Sequence, residues 1–522
     1  VGAAGTFDVS ARPGYTLGGG QILYGSGVVT GEVVTAAGAQ VRPGGFNFAS
    51  TLTFKNALGL HAGTTNWFDL TGQTSVGGGT NDLVVVDGLL EPSNSVIQVN
   101  VLQPLTSGVY TLFTYTGAKT TPFNPAPILS LSPGRKTVTV DETVPGQVHL
   151  NVSGNYGDLV WLPQTNAAWD FVVNNWSNPA SAALDTFFQS DAVTFDERGA
   201  YSNVVTLTTT TQPARVTVAG ASNYVCQGAG GMGGIGGLVK SGSGLLVMAN
   251  TNTYLGQTTI SNGTLQVGNG GTAGQLAGTG VIRVESGATL VNFRSDLYTA
   301  GLTLSRSVAG AGDWIVRGNG GNLTSDYLIT GSQTGFTGNL TIDKARFQAD
   351  VVTDAGYAAI NVLTGGQFWA ISAATYSNAI TLQGAGWPEA TFYGALRLQA
   401  GARYAGPITL AANARIGSIN GTHYITSNIS GSYDLDAYGG PSSGNLMLAG
   451  ENTFNNLRVV SYWTYVRGPA SVGTGDVVMA GGGFSSYGDD LTLTNDLLAA
   501  TTVYVGQDQA GVGVRSMTWA GN

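Results

Sequence analysis

Apolar and polar residues alternate along this chain in short bursts. The alternation is plain over Thr258–Leu265 and Val281–Leu290, and a period of two places successive side chains on opposite faces of an extended strand. Where it breaks, one pattern returns: an apolar residue, two residues, Gly, two residues, then an apolar or aromatic residue. It reads VESGATL at Val284–Leu290 around Gly287 and VLTGGQF at Val362–Phe368 around Gly365. It reads LQAGARY at Leu398–Tyr404 around Gly401 and VMAGGGF at Val478–Phe484 around Gly481. A looser copy, TAAGAQV, spans Thr35–Val41 around Gly38, and a shortened one, ISNGTL, spans Ile260–Leu265 around Gly263. The pattern predicts a corner: a strand ends, Gly turns the chain with a positive φ, and the next strand opens on an inward apolar residue. Two-residue Asn-Gly hairpin signals are few, Asn262–Gly263 being one, so the corners predict stacked coils rather than hairpins. The expected fold is all-β, a right-handed parallel β-helix (β-solenoid) with degenerate Gly-rich rungs. At roughly 20–25 residues per rung the chain would form about 20 rungs.

A longer unit also recurs. LVMANTNTYLGQTTI at Leu246–Ile260, LITGSQTGFTGNLTI at Leu328–Ile342 and LMLAGENTFNNLRVV at Leu446–Val460 share one plan. Each runs from an apolar strand through a polar turn carrying Asn or Gln to an aromatic (Tyr254, Phe336, Phe454) and a second strand. Composition supports strands over helices. Glycine accounts for 80 of 522 residues and charged residues for 10%, against roughly 25% in typical soluble chains. Gly, Thr, Ser and Asn are poor helix formers, while a hydrophobic share of 42% is enough for a core.

The net charge of −9 with 21 Lys and Arg gives no clustered basic footprint for nucleic acid or an anionic membrane. No apolar run is long enough for a membrane-spanning helix. The single cysteine, Cys226, excludes an intramolecular disulfide and reads as a small core residue.

The stretch from Trp161 to Gly268 resembles the autotransporter-associated β-strand repeat, also called the passenger-associated transport repeat. The resemblance runs through Trp161, Trp169 and Trp176, then DAVTFDE at Asp191–Glu197 and GLVKSGSGLL at Gly237–Leu246. It continues through Asn252–Tyr254 to TTISNGTLQVG at Thr258–Gly268. Leu17 onward, Asn81–Gly88, Leu105–Gly117 and Val144–Gly154 resemble the closing section of such a unit. The resemblance implies a passenger region of a large bacterial surface protein, folded as a parallel β-helix and placed extracellularly or on the cell surface. The expected organisation is a solenoid segment at 1–158, a Trp-rich and less regular unit start at 159–236, a solenoid at 237–516 and the start of a further unit at 517–522. Val1 carries no Met or basic leader, so a removed signal peptide or a window from a longer tandem protein is expected.

Candidate chemistry is sparse. His61, His149 and His423 have no metal-ligand spacing, and Gly-x-Ser-x-Gly strings are expected as noise in a chain this rich in Gly and Ser. The carboxylate groups are Asp489 with Asp490, Asp434 with Asp436, and Asp191 with Asp196 and Glu197. They read first as turn flanks or repeat structure. Lys240, Arg283, Arg294, Arg346, Arg403, Arg415 and Arg458 are scattered and read as solubilising, edge-blunting charges. Trp463, Tyr465 and Trp369 are the candidates for stacking on glycans. No catalytic residue, metal ligand or cofactor is expected. The expected function is a surface or secreted fibre or adhesin built by self-association, with extracellular polysaccharide or a host surface as a further partner. Two alternatives stand beside it. One is a polysaccharide-binding or polysaccharide-cleaving β-helix, which requires carboxylates and basic residues converging in one groove. The other is a passive stalk.

Overall fold

The computed structural model describes residues 1–164, 166–295, 303–320, 325–331, 333–349, 356–389, 391–440, 444–488, 490–506 and 516–521. The chain is an all-β parallel β-solenoid of about 22 turns. Among the described residues there is no α-helix, only short 3-10 turns such as Glu197–Ser202 and Pro469–Val472, and no helix is long and apolar enough to cross a membrane. Two compact units divide it. The first comprises Val1–Thr194, Thr210–Val216 and Met232–Gly237, the second Phe195–Thr209, Thr217–Gly231 and Leu238–Asn522.

In the first unit, successive turns lay strands on three sheets. Thr6–Asp8, Val28–Thr30, Thr51–Phe54, Leu83–Val86 and Gly108–Tyr115 pair in parallel on one. Tyr15–Leu17, Val33–Thr35, Leu58–Gly59 and Leu90–Glu91 form the second. Ile22–Gly25, Gln40–Pro43, Thr65–Leu70, Val96–Val101 and Ile128–Leu129 form the third. The register sets like on like: Leu52 lies against Val84, and Val84 against Phe113, all fully buried. Burying such a side chain is worth about 1.5–3 kcal/mol.

This unit then leaves the parallel pattern. Gly108–Tyr115 pairs antiparallel with Gln147–Ser153, and that strand antiparallel with Thr137–Asp141. The cause is local. Pro145 and Gly146 occupy the middle of a turn closed by the Gln147 N–H donating to the Val144 carbonyl at 3.1 Å, which reverses the chain into a hairpin. Around the Trp-rich start, Trp176–Asn178 pairs antiparallel with both Asp158–Trp161 and Ala183–Asp185. Trp161, Trp169 and Trp176 are fully buried, with Trp176 packed edge-on against the other two at 5.0 and 5.2 Å.

In the second unit one inward ladder runs unbroken through ten turns. Tyr224, Leu246, Leu265, Leu290, Trp314, Leu340, Ile360, Ile380, Ile408 and Ile429 are each paired to the next in parallel register, and none is more than 2% exposed. The residues of the longer sequence unit are also internal. Tyr254, Phe336 and Phe454 are buried, as are the turn amides Asn252, Gln333 and Asn452. Asn452 accepts the Ile429 N–H at 2.8 Å and donates to the Ser471 carbonyl at 2.8 Å, so it satisfies turn backbone that the ladders leave over.

The corner glycines Gly38, Gly263, Gly287, Gly365 and Gly401 all have φ between 69° and 85°. In VMAGGGF the corner residue is Gly482, with φ 73°, not Gly481. A run of three glycines leaves the corner's position open, since any of them is free to take positive φ.

Candidate functional site

Outward positions on four neighbouring strands of the second unit converge. Asp326, Arg346 and Gln367 are in register on Asp326–Ile329, Arg346–Ala349 and Gln367–Ala370. Two residues along, Gln348, Trp369 and Arg397 are in register, the last on Leu396–Leu398. The intervening residues Tyr327, Phe347, Phe368 and Leu396 point into the core, so period-two alternation delivers all six polar or amphipathic side chains to one outer face. The segment between Ile380–Gly384 and Leu396–Leu398 folds back over this face and contributes Trp387, Glu389 and Tyr393.

The result is a layered stack. The Arg346 guanidinium lies 4.4 Å from the Trp387 ring and 4.7 Å from the Trp369 ring. That of Arg397 lies 3.7 Å from Trp369 and 4.7 Å from Tyr393. Trp369 is thus held between arginines of the preceding and the following turn. Glu389 ties the two together, accepting from Arg346 Nη1 at 3.1 Å and from Arg397 Nη1 with both oxygens at 3.1 Å. Asp326 Oδ1 accepts from Arg346 Nε at 2.8 Å and from Gln348 at 2.6 Å. Burial lowers the Arg397 pKa, with the Glu389 charge opposing that shift. Three buried polar atoms in the stack lack a hydrogen-bond partner: Trp369 Nε1, Arg397 Nε and Gln367 Oε1.

Both carboxylates are fully engaged by guanidinium and amide donors. The arrangement acts as an electrostatic clamp across neighbouring turns. Farther along, Arg415, Asp436 and Arg458 are in register, with Asp436 2.9 Å from Arg415 and 3.6 Å from Arg458.

The sequence candidates separate clearly. Trp369 is only partly exposed, and guanidinium groups cover its ring, so it has no free face for a sugar. Tyr465 is fully buried and likewise unavailable. Trp463 is partly exposed. It stacks on Tyr465 at 6.0 Å and lies across Gly483, where a Cβ would come within 2.5 Å of its ring. Asp191 is fully buried, accepting from Arg135 at 2.9 Å, Gly157 N at 2.7 Å and Phe188 N at 2.9 Å. Asp196 caps the 3-10 turn at Glu197–Ser202 through the Arg198 N–H, and Glu197 accepts from the Ala221 N–H. Asp434 accepts from Asn455 at 2.8 Å and Asp490 from the Ser516 N–H at 2.8 Å. Asp489 lies outside the described residues. Lys240, expected as a surface charge, is fully buried and donates to the carbonyls of Gly242 and Asn262 at a corner.

One pair imitates catalytic geometry. Ser418 Oγ lies 2.8 Å from His423 Nδ1, and both residues are fully buried. The Gly401 N–H donates to His423 Nε2 at 3.1 Å, which puts the ring proton on Nδ1. His423 therefore donates to Ser418, whose hydroxyl donates to the Asn445 carbonyl at 2.6 Å. The proton runs the wrong way for a serine nucleophile, and burial lowers the His423 pKa further. The pair braces a corner. No group of three His, Cys, Asp or Glu side chains among the described residues is placed to hold a metal ion.

Fold and site together define a β-solenoid repeat protein whose outer-face charges, where they cluster, are paired across turns. Residues 238–267 match the passenger-associated-transport-repeat family, making this an autotransporter-passenger-like β-solenoid. The matched segment is one turn and the opening of the next: Leu238 lies against Thr258 and Leu246 against Leu265. Neither the curated proteins nor the solved structures give a match to the chain.

Proposed function

We propose that this chain is passenger material of a bacterial surface protein and acts outside the cell as a structural or adhesive element, associating with further copies of itself, rather than as an enzyme. The observation that carries this reading is the transport-repeat match falling on one turn of a solenoid whose neighbouring turns keep the same register. The engaged carboxylates of the arginine stack support a non-catalytic role. Exposed aromatic side chains in the first unit support self-association: Phe46 and Phe48 are each 65% exposed and Tyr24 51%. Sedimentation velocity and negative-stain microscopy of the purified chain over a concentration series test it. Laterally or longitudinally associated particles that dissociate in the double variant Phe46→Ser, Phe48→Ser are expected. Single particles at every concentration would overturn self-association and leave the stalk reading.

A second reading is glycan binding, favoured by the partly exposed Trp463. A glycan array probed with the chain and with Trp463→Ala tests it. Binding that disappears in the variant is expected, and no binding to any glycan refutes it.

A further inference from the structure

Arg306 stands apart from the other buried arginines among the described residues. It is 6% exposed, yet no carboxylate among the described residues lies within ion-pair distance. Its Nε donates to the Gly280 carbonyl at 2.6 Å and its Nη2 to the Gly256 carbonyl at 3.3 Å. Nη1 is buried and has no hydrogen-bond partner. Arg42 and Arg397, similarly buried, both have carboxylates. The Tyr254 ring lies 5.3 Å from the guanidinium, but a ring face and two neutral carbonyls do not cancel a full charge, and an interior charge without a counter-ion costs several kcal/mol.

The same side chain lines a cavity of about 100 Å³. Leu276, Ile282, Leu290, Val308 and Trp314 form much of the remaining wall. The Gln275 and Ser305 side chains also line it, and two further donors are committed. Trp314 Nε1 donates to Asn292 at 2.8 Å, and the Arg294 guanidinium donates to the carbonyls of Gly274 and Thr272 at 3.0 and 2.8 Å. At roughly 30 Å³ per water, the space equals about three waters, which limits the occupant to a short-chain molecule.

We propose that this cavity binds a small aliphatic monocarboxylate, with the carboxylate on Arg306 Nη1 and the alkyl tail against the apolar wall. Sulfate carries two negative charges against the single guanidinium and, like phosphate, would press charged oxygens against the apolar wall. A halide would neutralise Arg306 but leave the apolar wall unused. The site is independent of whether the chain self-associates.

Isothermal titration of the full chain with sodium acetate, propionate and butyrate, against sodium chloride and sulfate at matched ionic strength, tests the assignment. Affinity rising from acetate to butyrate is expected, with at least tenfold loss in Arg306→Met. Should that variant fail to fold, Leu276→Phe decides. It keeps the guanidinium and fills the tail space, so butyrate binding falls at least tenfold while acetate binding persists. Absence of carboxylate binding, chloride or sulfate binding as tightly as butyrate, or unchanged butyrate binding in the folded variants would each overturn the proposal.

Discussion

Gly263 and Gly287 occupy equivalent corners with φ of 69° and 82°, but their surroundings differ. A Cβ at Gly287 would meet nothing within 4 Å. One at Gly263 would come within 2.4 Å of the Gly242 carbonyl, 2.7 Å of the Gly244 carbonyl and 2.7 Å of Lys240 Nζ. Alanine at Gly287 therefore carries only the left-handed backbone cost, about 1–2 kcal/mol. Alanine at Gly263 adds an overpacking cost of about 1–3 kcal/mol, because two of the three obstacles are backbone of the turn beneath. The difference should centre near 2 kcal/mol, a factor of roughly 30 in the local opening equilibrium. Native-state hydrogen exchange is the appropriate assay, since a stack coupled through nearest neighbours need not unfold in one step. In Gly263→Ala, amide protection should fall over Thr258–Ile260 and Gly263–Val267. In Gly287→Ala the smaller loss should lie over Ile282–Val284 and Ala288–Phe293, and Gly287→Asn should recover part of it because Asn tolerates this conformation. Equal losses for the two alanine variants would refute the claim that the preceding turn, rather than backbone conformation alone, closes the Gly263 corner.

Asp82 is pushed up to about 8 from 3.8 by burial, against the Asp69 and Ser50 N–H groups and Arg42, which pull it down. The native chain therefore holds a proton there that the unfolded chain has released. Stability from this group falls as pH rises from 3.8 to about 8. The difference in urea midpoint between the native chain and Asp82→Asn should change across that window, and a constant difference would contradict it. Replacing Arg397 by Met removes its bridge to Glu389 and uncovers one face of Trp369. A loss of about 2–4 kcal/mol in denaturant unfolding is expected, with altered Trp fluorescence, and a loss below the error of measurement would count against the clamp. Cys226 is 3% exposed and its thiol is pushed up to about 12 by burial. A thiol reagent should label it only after denaturation, and rapid labelling of the native chain would show that turn to be open.

The corners were legible because they depend on one local requirement, a positive φ between apolar positions, which seven residues of sequence can display. Only in the triple glycine of Gly481–Gly483 did that signal lose its position. The hairpin at Pro145–Gly146 was also written in the sequence, but the broader resemblance to a parallel solenoid masked it. The arginine stack was not legible. Its members come from five separate segments between Asp326 and Arg397, and their meeting depends on turn lengths that vary. Arg346 looked like one scattered surface charge until Trp369, Arg397 and the fold-back segment carrying Glu389 were brought beside it. Lys240 failed for a related reason. The carbonyls of Gly242 and Asn262 that hold it belong to two successive turns, and burial within the stack could not be seen from one strand alone.

The inward ladder from Tyr224 to Ile429 also bears on how such a chain acquires its structure. Each rung joins residues about one turn apart, so every step closes a loop of similar size. Loop-closure entropy grows only with the logarithm of loop length, and here that length does not increase with the number of turns. Relative contact order consequently falls as the chain grows, unlike that of a globular β-sandwich with distant pairings. Once one turn has formed, its exposed backbone is the template for the next. A chain emerging from one end can therefore fold in the order in which it appears, without waiting for its far end.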